Sequence, residues 1–202
     1  MADKQYTTAG FDATFNKKAS IKYGVILGVI SFALGLIVLF LTRSIQTFIL
    51  LTSVSFGINT IVYILISLFF SYKLRGEYGG SWNFSVAVKA IFLMVLISTV
   101  IATLGTSVYV HQINPSLQED VLRNTINITI EYMEVQGAPS DVIDERVATL
   151  EDQMNKIGNI QITDVLKGMM IAVLMQFIFS LVLAALTRNE KLAPRSVAAG
   201  NK

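Results

Sequence analysis

The chain has 202 residues, of which 53% are hydrophobic and 15% are charged, whereas an ordinary soluble domain carries about 25% charged residues. The absence of cysteine excludes disulfides, thiolate metal sites and a cysteine nucleophile, and a single histidine argues against a His-based zinc site. A net charge of +2 is too small to indicate nucleic acid binding. The composition therefore predicts a membrane protein with no metal, no cofactor and no nucleic-acid partner.

Four uncharged apolar stretches follow an N-terminal arm, residues 1–20. Each has about 20 residues, which at about 1.5 Å per residue covers the roughly 30 Å hydrocarbon layer of a bilayer. The first three fall within residues 21–111 and the fourth within 165–188. The predicted fold class is an all-α integral membrane protein with four transmembrane helices and a helical hairpin between spans three and four.

Small residues recur along one face of the first and fourth spans. Such faces let another helix approach closely, so they predict helix packing sites within the protein or with a partner. The packing residues of the first span are Gly24, Gly28, Ser31 and Gly35, and those of the fourth are Gly168, Ala172, Ser180 and Ala184.

A short loop near residues 73–84, "KLRGEYGGSWNF", joins the second span to the third. Its two glycines provide the backbone freedom for a turn, and Ser81 is the predicted N-cap of the third helix. Trp82 and Phe84 are predicted interfacial anchors at headgroup depth, and Lys89 can extend its ammonium group to the same surface.

Positive charge is unevenly distributed around the spans. The arm, the Gly-Gly loop and the basic tail, residues 189–202, carry most of the lysines and arginines near the membrane, whereas the first connection carries only Arg43. The positive-inside bias therefore predicts cytoplasmic N and C termini and places the hairpin on the opposite side.

The hairpin region, residues 112–164, contains ten of the 14 acidic residues. Asn114 and Pro115 predict the start of its first helix, and Gly137 its end. In the second helix, apolar residues recur three and four positions apart. This stripe either covers the first helix, lies on the membrane surface or docks on another protein; its members are Ile143, Val147, Leu150, Met154 and Ile157.

Two amides, Asn59 and Gln176, are the strongest polar groups at membrane depth. Because a buried amide needs a hydrogen-bonding partner, they are interpreted as groups that join helices rather than as substrate contacts. Ionisable residues are missing from the middle of every span, which argues against ion-coupled transport. The nearest approach to a catalytic cluster is His111 with Glu119 and Asp120, and no catalytic residue is predicted.

Four stretches of the chain resemble a family of small bacterial inner-membrane proteins described as domain of unknown function 4199. They are "KYGVILGVISFALG", "LRGEYGGSWNFSVAVKAIF", "YVHQINPSLQEDVL" and "GMMIAVLMQFIFSLVLAALTRNE". The resemblance implies a location in a bacterial cytoplasmic membrane, with the hairpin in the periplasm, and it implies no activity.

The sequence thus favours a non-enzymatic inner-membrane protein that contacts the lipid bilayer and self-associates or binds another membrane protein. The expected role is an accessory or scaffold subunit of a cell-envelope complex. The alternative is a small uncoupled transporter or channel that acts as an oligomer, lined by the Ser/Thr-rich faces of spans two and three.

Overall fold

The computed structural model describes residues 15–158 and 162–188, without the side chains of residues 153–166. No β-strand occurs in these two ranges. The α-helices are α1 (Lys17–Ser44), α2 (Phe48–Phe56), α3 (Tyr63–Gly76), α4 (Phe84–Val108), α5 (Pro115–Val135), α6 (Ser140–Gly158) and α7 (Ile162–Thr187). Two π-helical segments, Gly57–Val62 and Tyr109–Ile113, continue α2 into α3 and extend α4.

Four of the resulting helical rods are long and apolar enough to cross a bilayer. They are Lys17–Ser44, Phe48–Gly76, Phe84–Ile113 and Lys167–Thr187, hereafter spans one to four. The predicted all-α class with four membrane-spanning helices is confirmed. The two membrane sides are named here the loop side, where the Gly-Gly loop lies, and the hairpin side, where α5 and α6 lie.

Spans one and three pack against each other over most of their length. A Cβ atom added at Gly24 would lie 2.8 Å from the backbone oxygen of Met94, and one added at Gly28 would lie 2.8 Å from the Cβ of Ile101. Glycine is therefore required for this separation of the two helices. In the reverse direction, the ring of Phe32 lies against Gly105, where an added Cβ would be 2.9 Å from the ring.

The centre of the bundle is filled by apolar side chains from the two central helices and the loop side. Leu27 of α1 and Ile91, Met94 and Val95 of α4 are at most 1% exposed, and Leu74 of α3 joins the same cluster. Span four contributes Leu183 and Ala184 to this cluster. The best-packed region of the membrane domain therefore lies in its loop-side half.

The turns between helices depend on glycines with positive φ angles and on a capping side chain. Gly79 and Gly80 have φ angles of 75° and 80°, and Gly137 has a φ of 71° after the end of α5; this left-handed region is open to glycine without steric cost. Asn83, rather than the predicted Ser81, caps α4, because its side chain accepts a hydrogen bond from the backbone N–H of Val86 at 2.8 Å.

Substituting Gly28 with alanine tests the close contact between spans one and three. We expect Gly28→Ala to lower the free energy of unfolding by about 1–3 kcal/mol, because the added methyl group meets Ile101 in a packed interface. The control is Gly168→Ala, where nothing lies within 4 Å of the added Cβ. Thermal unfolding in detergent measures both variants, and equal stability would contradict the packing described here.

Candidate functional site

Trp82 lies inside the protein rather than among lipid headgroups. Its side chain is 2% exposed and its ring centroid is 5.3 Å from that of Tyr78. Trp82 Nε1 donates a hydrogen bond to the backbone oxygen of Thr187 at 3.2 Å, and Arg75 Nη1 donates to the same oxygen at 3.2 Å. The predicted interfacial anchor is therefore corrected: Trp82 caps the C-terminal end of α7, where carbonyl groups lack helical partners.

The other two predicted anchors, Phe84 and Lys89, are exposed near the start of α4. Close by, Glu77 joins the loop to span one, since it accepts a hydrogen bond from the hydroxyl of Tyr23 at 3.0 Å and lies 3.6 Å from the ammonium group of Lys22. The Gly-Gly loop is thus attached to spans one and four.

The predicted packing face of span one is occupied within the chain. Besides the contacts of Gly24 and Gly28 with α4, Ser31 Oγ lies 3.5 Å from Ser98 Oγ of span three. A Cβ added at Gly35 would lie 3.8 Å from Thr106 Oγ1. Of the two predicted alternatives, packing within the protein or with a partner, the structure shows the first, because span three covers this face.

The packing face of span four is divided between its two halves. Ser180 and Ala184 are fully buried against the rest of the bundle. Gly168 and Ala172, in the hairpin-side half, are exposed, and nothing lies within 4 Å of a Cβ added at Gly168. One half of the stripe therefore packs inside this chain, while the other half has no helix against it among residues 15–158 and 162–188.

The two predicted membrane amides differ in their surroundings. Asn59 lies in the π-helical segment of span two and is exposed, with no hydrogen bond from its side chain to any described residue. Gln176 of span four is half-buried, and its Oε1 is buried without a hydrogen bond in the described part of the chain. In the part of the chain that the structure describes, neither amide forms a hydrogen bond that joins two helices.

The first hairpin helix, α5, lies across the hairpin-side ends of spans one and two. Asn124 Nδ2 donates to the backbone oxygens of Thr42 and Ile45 at 2.7 and 2.8 Å, which satisfies two carbonyl groups where α1 ends. The rings of Phe48 and Tyr132 stack with centroids 4.4 Å apart. These contacts fix α5 on the membrane domain.

The predicted docking stripe of α6 faces its own hairpin partner. Leu150 is 7% exposed, and Ile143 and Val147 are half-buried; among the described elements α6 contacts only α5. The side chains of Met154 and Ile157 lie outside the described part. The stripe therefore covers α5, so the described part of it does not offer a free docking surface.

The three residues nearest to a catalytic cluster contact other groups rather than one another. Asp120 Oδ2 lies 3.0 Å from Arg43 Nη2, and Glu119 Oε1 lies 2.7 Å from Arg123 Nη2. The imidazole of His111 lies 3.0 Å from the backbone oxygen of Ser107 instead. Within the described residues, no group of three or more His, Asp or Glu side chains could hold a metal ion.

Sequence reasoning missed the roles of Asn124, Arg75 and Thr187. Their contacts connect residues 79–112 positions apart in the chain, so no local sequence pattern predicts these contacts. The only signal is their position: polar residues near helix ends are candidates for capping carbonyl groups of another helix.

These features define an all-α membrane protein whose four spans carry a helical hairpin between the third and the fourth. The chain belongs to the family described as a protein of unknown function (DUF4199), which matches residues 22–189. No curated protein and no solved structure matches the chain.

Replacement of Asn124 tests how the hairpin is attached. We expect Asn124→Ala to lower the free energy of unfolding by about 1–3 kcal/mol, because two carbonyl groups lose their donor. Asn124→Asp should behave similarly, since a carboxylate has no N–H group to donate.

The matched control is Asn127→Ala, which removes an exposed amide from the same helix. Chemical unfolding in detergent, followed by circular dichroism, measures the three variants. An Asn124→Ala protein as stable as the Asn127→Ala control would show that the hairpin does not depend on this contact.

Proposed function

We propose that this protein is a non-enzymatic accessory or scaffold subunit of a cell-envelope complex in a bacterial cytoplasmic membrane. The observation that carries the proposal is the exposed hairpin-side half of span four. Every residue from 167 to 175 is exposed, although the loop-side half of the same helix is packed into the bundle. A partner helix is proposed to cover this half.

The surface of this half suits a helix better than it suits lipid alone. Gly168 and Ala172 let another backbone approach closely. Beside them, an open apolar groove of about 800 Å³ extends along α7 to Phe92 of span three, with Met170 and Leu174 on its wall. A groove next to small residues accepts the ridge of side chains on a second helix.

Asn59 supports the same proposal from span two. It lies near the midpoint of the uncharged stretch 47–72 and is exposed on the outside of the chain. An amide that faces hydrocarbon without a partner is unfavourable, so a polar group on a neighbouring helix would stabilise it. The π-helical geometry at residues 57–62 is also frequent at functional sites.

The distribution of charge supports the proposed orientation. Span ends and connections on the loop side carry the larger number of basic residues near the membrane: Lys17, Lys18, Lys22, Lys73, Arg75, Lys89 and Arg188. By the positive-inside bias, the loop side and both termini are cytoplasmic. The hairpin is then periplasmic.

The ion pairs on the hairpin side are the reason for proposing a non-enzymatic role. Asp120 and Glu119 each pair with an arginine, so neither is free to act as a base beside His111. Spans two and three give limited support to the alternative of an oligomeric transporter, because Ser67 and Ser98 are fully buried within the chain and could not line a pore between copies. The exposed hydroxyl residues of these spans include Ser53, Thr103 and Ser107.

Photo-crosslinking in native membranes tests the proposal. A photo-reactive amino acid at Ala172 should give one discrete protein adduct, because a partner helix covers this position. The control position is Ile37, which is 48% exposed in the hairpin-side half of span one and is proposed to face lipid. If no adduct forms at either position, the proposal is contradicted. The mass of an adduct at Ala172 distinguishes a second copy of the chain from another protein.

The exposed amide gives a second, independent prediction. Asn59→Leu should weaken the complex about threefold, which corresponds to the roughly 0.6 kcal/mol that a hydrogen bond between membrane helices contributes on average. The control is Ile61→Leu, at a position 50% exposed in the same segment. The yield of the Ala172 adduct at increasing dilution in lipid measures both variants, and equal yields would remove Asn59 from the interface.

A further inference from the structure

A cavity of about 380 Å³ lies on the hairpin side, between α5, α6 and the first residue of span two. This volume is within the range of about 300–1,000 Å³ that small-molecule sites occupy in proteins. Its walls combine aromatic, aliphatic and charged side chains; the residues on which the inference depends are Phe48, Tyr132, Met133, Val142, Glu145 and Arg146. None of these residues belongs to the exposed half of span four.

Two charges of opposite sign line this cavity from the α6 side. Glu145 and Arg146 are both exposed, and within the described residues neither side chain forms an ion pair or a hydrogen bond. Other charged groups of the hairpin, such as Asp120 and Glu119, are paired. The cavity therefore presents a carboxylate acceptor and a guanidinium donor that both remain available to a ligand.

The remaining walls are apolar or carry hydroxyl groups. Phe48 and Tyr132 form a stacked aromatic pair, and Met133 and Val142 add aliphatic surface. The two threonines in the lining, Thr129 and Thr149, donate their hydroxyl protons to the backbone oxygens of Thr125 and Glu145, so their oxygens are left as acceptors. A ligand that fits must be amphiphilic.

The depth of the cavity follows from the length of span two. Its helix, Phe48–Gly76, has 29 residues and therefore measures about 43 Å. This equals the thickness of a bilayer with its headgroup layers, about 40–45 Å, rather than that of the hydrocarbon core alone. Phe48 at its first turn thus lies at headgroup depth, and the next residue, Ile49, is 71% exposed where an acyl chain would begin.

We propose that this cavity binds the headgroup of an ethanolamine phospholipid. Arg146 binds the phosphate, for which the planar guanidinium group offers paired N–H donors. Glu145 accepts hydrogen bonds from the primary ammonium group, and the aromatic and aliphatic walls hold the glycerol end of the lipid. A choline headgroup has no N–H donor for Glu145, and a glycerol headgroup has no positive charge, so both bind less tightly.

Lipid binding to the delipidated full-length protein tests the assignment. Native mass spectrometry in detergent, with phosphatidylethanolamine, phosphatidylcholine and phosphatidylglycerol of the same acyl chains, gives the three affinities. We expect one ethanolamine lipid per chain, bound at least about tenfold more tightly than either of the other lipids, a difference of about 1.4 kcal/mol. Equal affinities for the three lipids would overturn the proposal.

Variants of the two charged residues connect the preference to this cavity. Glu145→Gln should reduce the affinity for the ethanolamine lipid about tenfold and that for the choline lipid by a smaller factor, because only the primary ammonium group also loses hydrogen bonds to the carboxylate. Arg146→Gln should weaken all three lipids, since all carry a phosphate. The controls are Glu151→Gln, an exposed acid on the same helix, and Arg123→Gln, a cation of the same hairpin outside the cavity.

Free phosphoethanolamine distinguishes a lipid from a soluble source of the same group. If the lipid is the ligand, the free compound competes weakly, because it lacks the glycerol and acyl parts. Competition at equal concentration would overturn the lipid assignment, as would a Glu145→Gln protein with unchanged lipid preference. Circular dichroism of each variant separates a loss of binding from a loss of helical structure.

Discussion

The membrane imposes one constraint on this chain from which the rest of the structure follows: every backbone polar group inside hydrocarbon must be paired within the protein. Helices meet that requirement except at their ends. At the hairpin-side end of span one, Asn124 donates to two carbonyl groups. At the loop-side end of span four, Trp82 and Arg75 donate to the backbone oxygen of Thr187. The hairpin and the Gly-Gly loop are therefore held in place by the helix ends that they cap.

The two halves of the membrane domain differ in how many of their polar and small residues have partners within the chain. On the loop side, helix caps and buried apolar side chains meet around Leu27 and Met94, although the hydroxyl of Ser67 is buried there without a hydrogen bond in the described part of the chain. On the hairpin side, residues 167–175 of span four are exposed, and so is Asn59 of span two. The exposed hairpin-side end is proposed to be the surface that another molecule covers.

The hairpin lies at this exposed end of the membrane domain. It is fixed to spans one and two by the Asn124 contacts, the Arg43–Asp120 ion pair and the stacked rings of Phe48 and Tyr132. A lipid bound between α5, α6 and span two would lie at the same end of the membrane domain. Its acyl chains would enter the lipid leaflet that also surrounds the exposed half of span four. The proposed lipid site and the proposed partner surface thus lie on the same side of the membrane, although they are inferred from different residues.

The sequence by itself determined the helical class, the four spans and the position of the hairpin, because uncharged stretches of about 20 residues have few alternatives to a membrane helix. It also located Gly24 and Gly28 as sites of close helix approach. The sequence did not assign partners to these features: Trp82 was predicted to be a lipid anchor and is a buried cap. For the stripe through Leu150, the sequence left three alternatives open, and the structure shows that it packs on α5. Only the tertiary structure decided these points, because a residue pattern shows that a surface must be covered, while the contacts that cover it come from residues far apart in the chain.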